Sequence, residues 1–169
     1  MELIELGALS LAVRAELEGD EPDPWGTTGS ELTWRPKDHH VALRMPDGRL
    51  AATAGWLIAD LKVGDQLLPV VGIGGVIVPR AHRGQGLGRR VIAELLARAQ
   101  ELGPEIAILF CQPEKVGLYQ RRGFVPIVEP VHVQQPTGLT EMPLPTMWRA
   151  LRDGSGLPAG PVRLPGPPF

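Results

Sequence analysis

The feature that most constrains the fold is an apolar strand pattern that runs directly into a glycine-rich segment and then into a helical pattern. Residues 72–78 (GIGGVIV) are apolar on both faces, which is typical of a central strand. Residues 79–88 (PRAHRGQGLG) contain three glycines. Apolar residues then recur at the spacing of one helix face, at Leu87, Val91, Ile92, Leu95, Leu96 and Ala99. The pattern predicts a strand–loop–helix unit within a mixed α/β fold.

The start of this helix has the chemistry of an anion site. The first N–H groups of a helix have no partner within the helix, and the helix dipole favours negative charge there. Glycines let a phosphate approach the backbone closely, and Arg80, Arg83, Arg89 and Arg90 add positive charge nearby. These residues favour a cofactor that carries a pyrophosphate. The alternative is a glycine-rich turn that only connects a strand to a helix.

Two common nucleotide-binding motifs are absent from this segment. It lacks the Lys-Ser/Thr of a P-loop and does not have the G-x-G-x-x-G spacing of dinucleotide-binding proteins. The strand after the helix ends in Cys111-Gln112 and has no acidic residue there that could hold a ribose. Nicotinamide and nucleoside-triphosphate cofactors are therefore disfavoured.

The rest of the chain predicts a mixed sheet. The predicted elements are strands at 2–6, 40–45, 50–63, 66–78, 105–111, around 124–134 and around 142–151, and helices at 9–17, 87–99 and 114–122. The helix at 87–99 is a crossover, so strand 105–111 should lie parallel to strand 66–78. Residues 20–38 should be irregular, and residues 153–169, with four Gly and five Pro, should form an extended or disordered tail.

Composition excludes several classes of function. The 169 residues carry a net charge of −2, with no basic patch for nucleic acid or anionic lipid. The one cysteine, Cys111, excludes an internal disulfide and a Cys-rich zinc site, and it suits a reducing compartment. His39 and His40 would face opposite ways on a strand and have no third ligand in view, so no metal is expected. The N-terminus lacks a secretory signal pattern, and we expect a cytoplasmic protein.

Two motifs in order carry a resemblance to a known family. Val76-x-Val78 followed by Arg83-x-x-Gly86-x-Gly88 resembles the acetyl-CoA-binding motif of the GNAT superfamily of N-acetyltransferases. Residues 118–124 (LYQRRGF) are similar to that family's LYxxxGF segment. The resemblance covers residues 1–151 and implies the GNAT fold, with a central mixed, mostly antiparallel sheet flanked by helices. Residues 152–169 would then be a Pro/Gly-rich tail outside the domain.

The resemblance also assigns the cofactor site, with acetyl-CoA as donor and coenzyme A as product. Backbone groups of Val76, Ile77 and Val78 would pair with the pantetheine arm like an added strand. The pyrophosphate would be held by Arg83, Gly84, Gln85, Gly86, Leu87 and Gly88. Gln112 stands where many family members carry an Asn that contacts the cofactor arm, although a polar strand end is an equally simple interpretation.

The same resemblance places Tyr119 as the general acid that protonates the departing thiolate. A tyrosine packed into the core is the alternative, because LY also suits an amphipathic helix face. A backbone N–H at Val76–Ile77 would meet the oxyanion. Gly74 stands where related enzymes carry a glutamate base, so the base must come from elsewhere or the amine must arrive neutral. Asp23, His40 and Asp60 are candidates, and each also has a structural or solvated interpretation.

The acceptor side resembles that of aminoglycoside 2′-N-acetyltransferases, around Asp23-Pro24-Trp25, then Trp34 and His40, and at residues 135–140 (QPTGLT). Acidic residues between Glu16 and Asp23 could attract a polycation; the alternative is a solvated loop with two packing tryptophans. Asp23, Trp25, His40 and Asp60 are the candidate acceptor residues.

The function that the resemblance implies is transfer of an acetyl group to a primary amine of a small molecule. We expect neither a nucleic-acid nor a membrane partner, and we leave a homodimer open. Two other functions stay open: a non-catalytic acyl-CoA sensor and a peptide or protein N-acetyltransferase.

Overall fold

The computed structural model describes residues 1–21, 23–24, 26 and 29–169. In this part of the chain the strands are β1 (Glu2–Leu6), β2 (His39–Arg44), β3 (Leu50–Val63), β4 (Gln66–Ile77), β5 (Ile106–Phe110), β6 (Val125–Pro126), β7 (Val131–Gln135), β8 (Gly138–Glu141), β9 (Thr146–Ala150) and β10 (Val162–Leu164). The α-helices are α1 (Leu11–Glu18), α2 (Leu87–Ala99) and α3 (Val116–Gln120), and short 3-10 turns lie at Arg80–His82 and Pro113–Lys115.

These elements form two compact units, and β3 and β4 contribute residues to both. The first unit contains Met1–Ser30, Pro36–Leu57 and Gly74–Arg98. The second contains Glu31–Arg35, Ile58–Ile73 and Ala99–Phe169.

The first unit is built on an antiparallel ladder of β1, β2 and the first half of β3. Glu2 of β1 lies opposite Arg44 of β2, and His40 of β2 lies opposite Gly55 of β3. A core cluster of Leu17, Ala42, Leu50 and Ile77 forms next to this ladder, with Ile4, Leu6, Leu9 and Val13 packed against it. Because these residues come from α1 and four strands, the cluster holds the end of β4 in place.

Both helices of the first unit follow the sequence pattern. Ser10 caps α1 by accepting a hydrogen bond from the Val13 N–H, and Gly19 ends the helix with a φ of 56°. The face of α2 predicted to be apolar is buried along its whole length, from Leu87 to Ala99. The predicted helices at 9–17 and 87–99 are confirmed, and the described residues between 20 and 38 form no helix or strand, as expected.

The strands of the second unit follow the order β6-β9-β5-β4-β3-β10-β7-β8. Val71, Gly72 and Ile73 of β4 pair in parallel with Ala107, Ile108 and Leu109 of β5, as the crossover rule predicted. The pairs β5–β9, β6–β9, β7–β8 and β10–β3 are antiparallel. A mixed, mostly antiparallel α/β fold is therefore confirmed.

Two predictions about the C-terminal third need correction. The single strand expected at 124–134 is two strands, β6 and β7, separated by residues 127–130, where Pro130 interrupts the pattern. The hairpin partner β8 was not predicted, because it is only four residues long and follows directly after Pro136, which cannot donate a ladder hydrogen bond.

The segment after Asp153 is extended and part of the sheet. Strand β10 lies between β3, where Val162 pairs with Val63, and β7, where Val162 pairs in parallel with Val131. The Phe169 side chain is buried, and its ring centroid lies 5.2 Å from that of Phe110. The count of Pro and Gly could not predict this, because the partners of β10 are distant in sequence.

Phe169 occupies the space above Gly72, which gives a stability prediction. A Cβ added to Gly72 would lie 2.5–2.9 Å from three carbons of the Phe169 ring. We therefore expect Gly72→Ala to lower the free energy of unfolding by about 1–3 kcal/mol, measured by urea titration. The loss should be smaller when Gly72→Ala is made in a Phe169→Ala background, because the obstructing ring is gone.

Gly156→Ala is the matched control, since a Cβ there would meet nothing within 4 Å. It should change stability by less than about 0.5 kcal/mol. An equal loss from both glycine substitutions would show that Phe169 does not pack on Gly72.

Candidate functional site

The loop between β4 and α2 has a backbone that glycine alone adopts easily. After the 3-10 turn at Arg80–His82, Gly84 has a φ of 78° and Gly86 a φ of 76°. The helical hydrogen bonds of α2 begin at once, with the Arg90 N–H donating to the Gly86 carbonyl at 3.1 Å. The loop therefore turns directly into a helix start, where N–H groups and the dipole favour an anion.

This loop leaves room for a ligand next to the backbone. A Cβ added to Gly84 would meet nothing within 4 Å, and one added to Gly86 would meet only the Arg89 Nη2 atom, at 3.7 Å. A Cβ on Gly88 would lie 3.5 Å from Val78 Cγ2, so the helix start packs closely on the strand end. An open glycine surface at a helix N-terminus fits the pyrophosphate of a nucleotide cofactor.

Arg83 is tied to both sides of the loop. Its Nε donates to the Val78 carbonyl at 3.0 Å, and its guanidinium forms an ion pair with the Glu21 carboxylate through Nη1 and Nη2. The hydrogen bond from Arg83 lowers the pKa of Glu21 below its ordinary value. The Glu21 carboxylate therefore contacts the same guanidinium that is predicted to bind the pyrophosphate of the cofactor. The sequence motif identified Arg83 but not Glu21, which lies 62 residues away.

The end of β4 carries a second glycine-dependent feature. Gly75 has a φ of 58°, so the strand leaves regular β geometry immediately before Val76. Ile77 is buried, whereas Val76 and Val78 are half-buried. Gly75 therefore has the backbone conformation of a β-bulge.

Lys37 and His40 meet above Gly55, on the strand next to this position. A Cβ added to Gly55 would lie 2.6 Å from Lys37 Cγ and 2.8 Å from His40 Nε2. A Cβ added to Gly75 would lie 3.8 Å from Lys37 Cγ. The two glycines thus make space for the lysine side chain. Lys37 was not singled out in the sequence, because Pro36-Lys37-Asp38 is indistinguishable from a solvated polar segment.

Burial changes the protonation of both side chains. Desolvation, assisted by repulsion from Arg14, lowers the pKa of Lys37 from 10.5 to about 8. The protonated lysine therefore costs stability at neutral pH, and this cost disappears as the pH rises from about 8 through 10.5. Desolvation is also the largest cause that lowers the pKa of His40 below 6.5, with a smaller contribution from Lys37. His40 is neutral at pH 7.

The orientation of His40 is set by the backbone. Its Nδ1 lies 2.9 Å from the Gly7 carbonyl oxygen, which can only accept, so Nδ1 carries the proton. In the neutral ring, Nε2 then has the lone pair.

Of the other acceptor candidates, Asp23 is half-buried in the same unit, Asp60 is exposed on the part of β3 in the second unit, and Trp25 lies outside the described residues.

Tyr119 and Gln112 belong to the second unit. The phenol ring of Tyr119 is buried and meets Phe124 edge-on, with centroids 5.8 Å apart. Burial, followed by the neighbouring Cys111, raises the pKa of Tyr119 to about 12, so the phenol keeps its proton. Gln112 is half-buried at the start of the 3-10 turn Pro113–Lys115.

Cys111 does not have the surroundings of a nucleophile. It is buried, its Sγ lies 3.9 Å from Met147 Sδ, and burial raises the pKa of the thiol to about 11.

Among the described residues, no group of three His, Cys, Asp or Glu side chains could hold a metal ion. A helix long and apolar enough to span a bilayer is likewise absent from residues 1–21, 23–24, 26 and 29–169.

The residues 135–140 that suggested an acceptor site form the β7–β8 hairpin. The Gln135 side chain is buried and makes two hydrogen bonds to the backbone of Thr33. Its Oε1 accepts from the Thr33 N–H at 2.7 Å, and its Nε2 donates to the Thr33 carbonyl at 3.2 Å. The next residue, Trp34, meets the Phe110 ring edge-on, with the ring centroids 6.3 Å apart. Gln135 therefore has a structural role in holding the segment that carries Trp34.

Solved structures show which fold the chain has. The chain resembles a GNAT family N-acetyltransferase, YhbS, from Escherichia coli in complex with CoA, with a TM-score of 0.62 and 18% identity over 98% of this chain and 91% of that one. It also resembles a GNAT family acetyltransferase from Brucella melitensis in complex with acetyl-CoA, with a TM-score of 0.56 and 18% identity over 95% and 94% of the two chains. The fold is that of the GNAT acyltransferases.

Sequence comparison shows the family. The model of the acetyltransferase (GNAT) domain matches residues 19–127, more than half of the chain. This chain belongs to the GNAT acetyltransferase family. It is 40% identical over 89 residues to glucosamine 6-phosphate N-acetyltransferase 1 of Oryza sativa subsp. japonica, covering 51% of this chain and 53% of the relative. It is also 38% identical over 93 residues to a probable glucosamine 6-phosphate N-acetyltransferase 2 of the same organism, covering 52% and 55%. The chain spans about half the length of these curated relatives.

The ion pair at Arg83 gives a binding prediction. Glu21→Gln removes a carboxylate that competes with a phosphate for the guanidinium, so we expect CoA to bind more tightly. Because the pair is partly exposed, the gain should not exceed about fivefold, measured by calorimetry at low salt.

Asp47→Asn provides the control, since it removes the same charge from another ion pair, with Arg49, in the turn between β2 and β3. Its CoA affinity should match that of the wild type. An equal gain in both variants would reveal a general charge effect and not competition at Arg83.

Proposed function

We propose that this protein is an acetyl-CoA-dependent N-acetyltransferase that transfers the acetyl group to a primary amine of a small molecule by direct attack in a ternary complex. The observation that carries the proposal is the β4–α2 unit. Its glycines take left-handed conformations at Gly75, Gly84 and Gly86, and it presents an open helix N-terminus. Membership of the GNAT family and relatives named as N-acetyltransferases support the same activity.

Two sets of residues would bind the two parts of acetyl-CoA, namely its pyrophosphate and its pantetheine arm. The helix start at residues 83–88 would hold the pyrophosphate through backbone N–H groups, with the Arg83 guanidinium as a further donor. The backbone of Val76, Ile77 and Val78 would pair with the pantetheine arm as an added strand does, and Gln112 would contact the same arm. When bound, acetyl-CoA supplies the acetyl group as a thioester.

Three groups of this chain would serve the reaction. A neutral amine is required, so a base must take the proton of the acceptor's ammonium. A backbone N–H at Val76–Ile77 would stabilise the oxyanion. The Tyr119 phenol would give its proton to the leaving sulfur, a role that suits a side chain which stays protonated at neutral pH.

His40 is the best-supported base among the three candidates. Its ring is held by the Gly7 carbonyl, and its Nε2 is unprotonated at pH 7. Asp60 is exposed on the part of β3 that belongs to the other unit. Related enzymes carry a glutamate base at the position of Gly74, and His40 would perform the role of that glutamate in this chain.

An amino sugar is the acceptor class that we propose. The two curated relatives carry names with glucosamine 6-phosphate, and an aminoglycoside is the acceptor that the sequence pattern around Asp23 predicts. Both kinds of acceptor present a primary amine on a sugar ring. They differ in charge, since glucosamine 6-phosphate carries a phosphate group and an aminoglycoside is a polycation, and acidic residues of this segment such as Glu16 and Asp23 would favour the polycation.

Release of free thiol from acetyl-CoA tests this function. The panel is glucosamine 6-phosphate, kanamycin and a short peptide with a free N-terminus, each with an acceptor-free control. We expect amine-dependent thiol release with at least one amino sugar. Binding of CoA without release on any acceptor would instead indicate a sensor, and release with the peptide alone would indicate a peptide N-acetyltransferase.

The two proton-transfer roles make a joint prediction. Tyr119→Phe should lower kcat by about 10²–10⁴-fold with little change in CoA affinity, because a general acid is lost but packing is kept. His40→Gln should lower kcat/KM similarly and abolish its decline below pH 6.5, where the wild-type imidazole becomes protonated. Unchanged turnover in either variant would remove that residue from the mechanism.

A further inference from the structure

We propose that the cavity between residues 127–131 and 141–146 is a binding site for a small organic cation with an aliphatic body. The cavity has a volume of about 320 Å³, which is the size of a site for a small molecule. It lies entirely in the second unit. The inference goes beyond the proposed acetyl transfer, because no residue assigned to the donor, the base or the acid lines this cavity.

The cavity lies where two hydrogen-bonded segments separate. At one end the Ile127 N–H donates to the Thr146 carbonyl at 2.9 Å, and at the other the Met142 N–H donates to the Val131 carbonyl at 2.7 Å. Of the six residues between these bonds, 128–130 and 143–145, three are prolines, which have no N–H to donate. A continuous ladder cannot form there, and the gap between the segments is the cavity.

The charged side chains of the cavity are both acidic. Glu129 comes from one segment and Glu141 from the other, and none of the described residues that line the cavity is Lys, Arg or His. Both glutamates are exposed, and within the part of the chain that the structure describes neither carboxylate has an ion-pair partner. Two carboxylates on opposite walls, without a cation from the chain between them, attract a positively charged ligand.

Thr146 gives a second, independent indication of a polar ligand. It lines the cavity, it is only 4% exposed, and its Oγ1 atom has no hydrogen-bond partner among the described residues. A buried hydroxyl without a partner is costly. An ammonium group bound in the cavity would donate a hydrogen bond to this oxygen.

The other walls favour an organic cation over a metal ion. Ile127, Val128, Met142 and Leu144 line the cavity with apolar side chains, and Val128 is 92% exposed. A metal ion needs several oxygen ligands around one point, and no group of three His, Cys, Asp or Glu side chains in the described residues could hold one. An aliphatic diamine matches both properties, because its ammonium groups pair with the carboxylates and its methylene groups contact the apolar walls.

Calorimetric titration with butane-1,4-diamine tests the site. The full chain is used without acetyl-CoA, so that no acetyl transfer can consume the ligand. We expect saturable binding that weakens as the ionic strength rises. Glu129→Gln and Glu141→Gln should each weaken binding by about two- to fivefold, which is the effect of one partly exposed ion pair, and the double variant by about tenfold.

Glu31→Gln is the matched control, since Glu31 is an exposed carboxylate of the same unit that does not line the cavity. Its affinity for the diamine should equal that of the wild type. Butylamine, which has one ammonium group, should bind the wild type more weakly than the diamine by about two- to fivefold.

Three results would overturn the inference. The first is the absence of saturable diamine binding to the wild type. The second is unchanged affinity in the double variant, which would place the diamine elsewhere on the chain. The third is an equal loss of affinity in Glu31→Gln, which would show a general effect of charge. None of these results bears on thiol release from acetyl-CoA, so the proposed function is tested separately.

Discussion

The backbone of the first unit depends on glycine at the positions where the chain must bend beside a ligand surface. Gly75, Gly84 and Gly86 all have a φ between 58° and 78°, which side chains with a Cβ rarely adopt. The first of them bends β4 before Val76, and the other two shape the loop that leads into α2. The core cluster around Leu17 and Ile77 packs the end of β4 against α1 and the neighbouring strands. The proposed donor site is therefore mostly backbone, with Arg83 as its main charged side chain.

The same unit buries groups that water would normally solvate. Lys37 and His40 share the space above Gly55, and desolvation lowers the pKa of both. A cation that is partly withdrawn from water is costly, and the protonated lysine lowers the stability of the fold near neutral pH. Within this one compact unit, the Lys37 amine is therefore partly neutral, and the His40 imidazole has an unprotonated Nε2. Deprotonation of an external amine, as proposed for the acetyl transfer, requires a base with the properties of His40.

The second unit shows how distant segments complete a sheet. Strand β10 lies between β3 and β7, Phe169 fills the space above Gly72, and Gln135 holds the backbone of Thr33. None of these contacts is local in sequence. These contacts hold residues 31–35 and the C-terminal segment in place. From composition alone, both regions were recognised only by their many Pro and Gly residues. The expected disordered alternative for residues 153–169 was wrong because strand pairing depends on partners, whereas Pro and Gly content reports only local preference.

The sequence by itself determined the order of elements from β1 to α3, the parallel pairing of β4 with β5, and the strand–loop–helix unit that places the chain in its family. Those features depend on local periodicity, on glycine conformations and on a crossover rule, all of which are written in neighbouring residues. The roles of Tyr119, Gln112 and the acceptor residues stay predictions. Only the tertiary structure decided that Glu21 pairs with Arg83, that His40 is held by Gly7, and that Lys37 lies over Gly55 and Gly75. The physical reason is that an ion pair, a tautomer and a desolvated amine depend on which groups distant segments bring together, and no local pattern encodes that proximity.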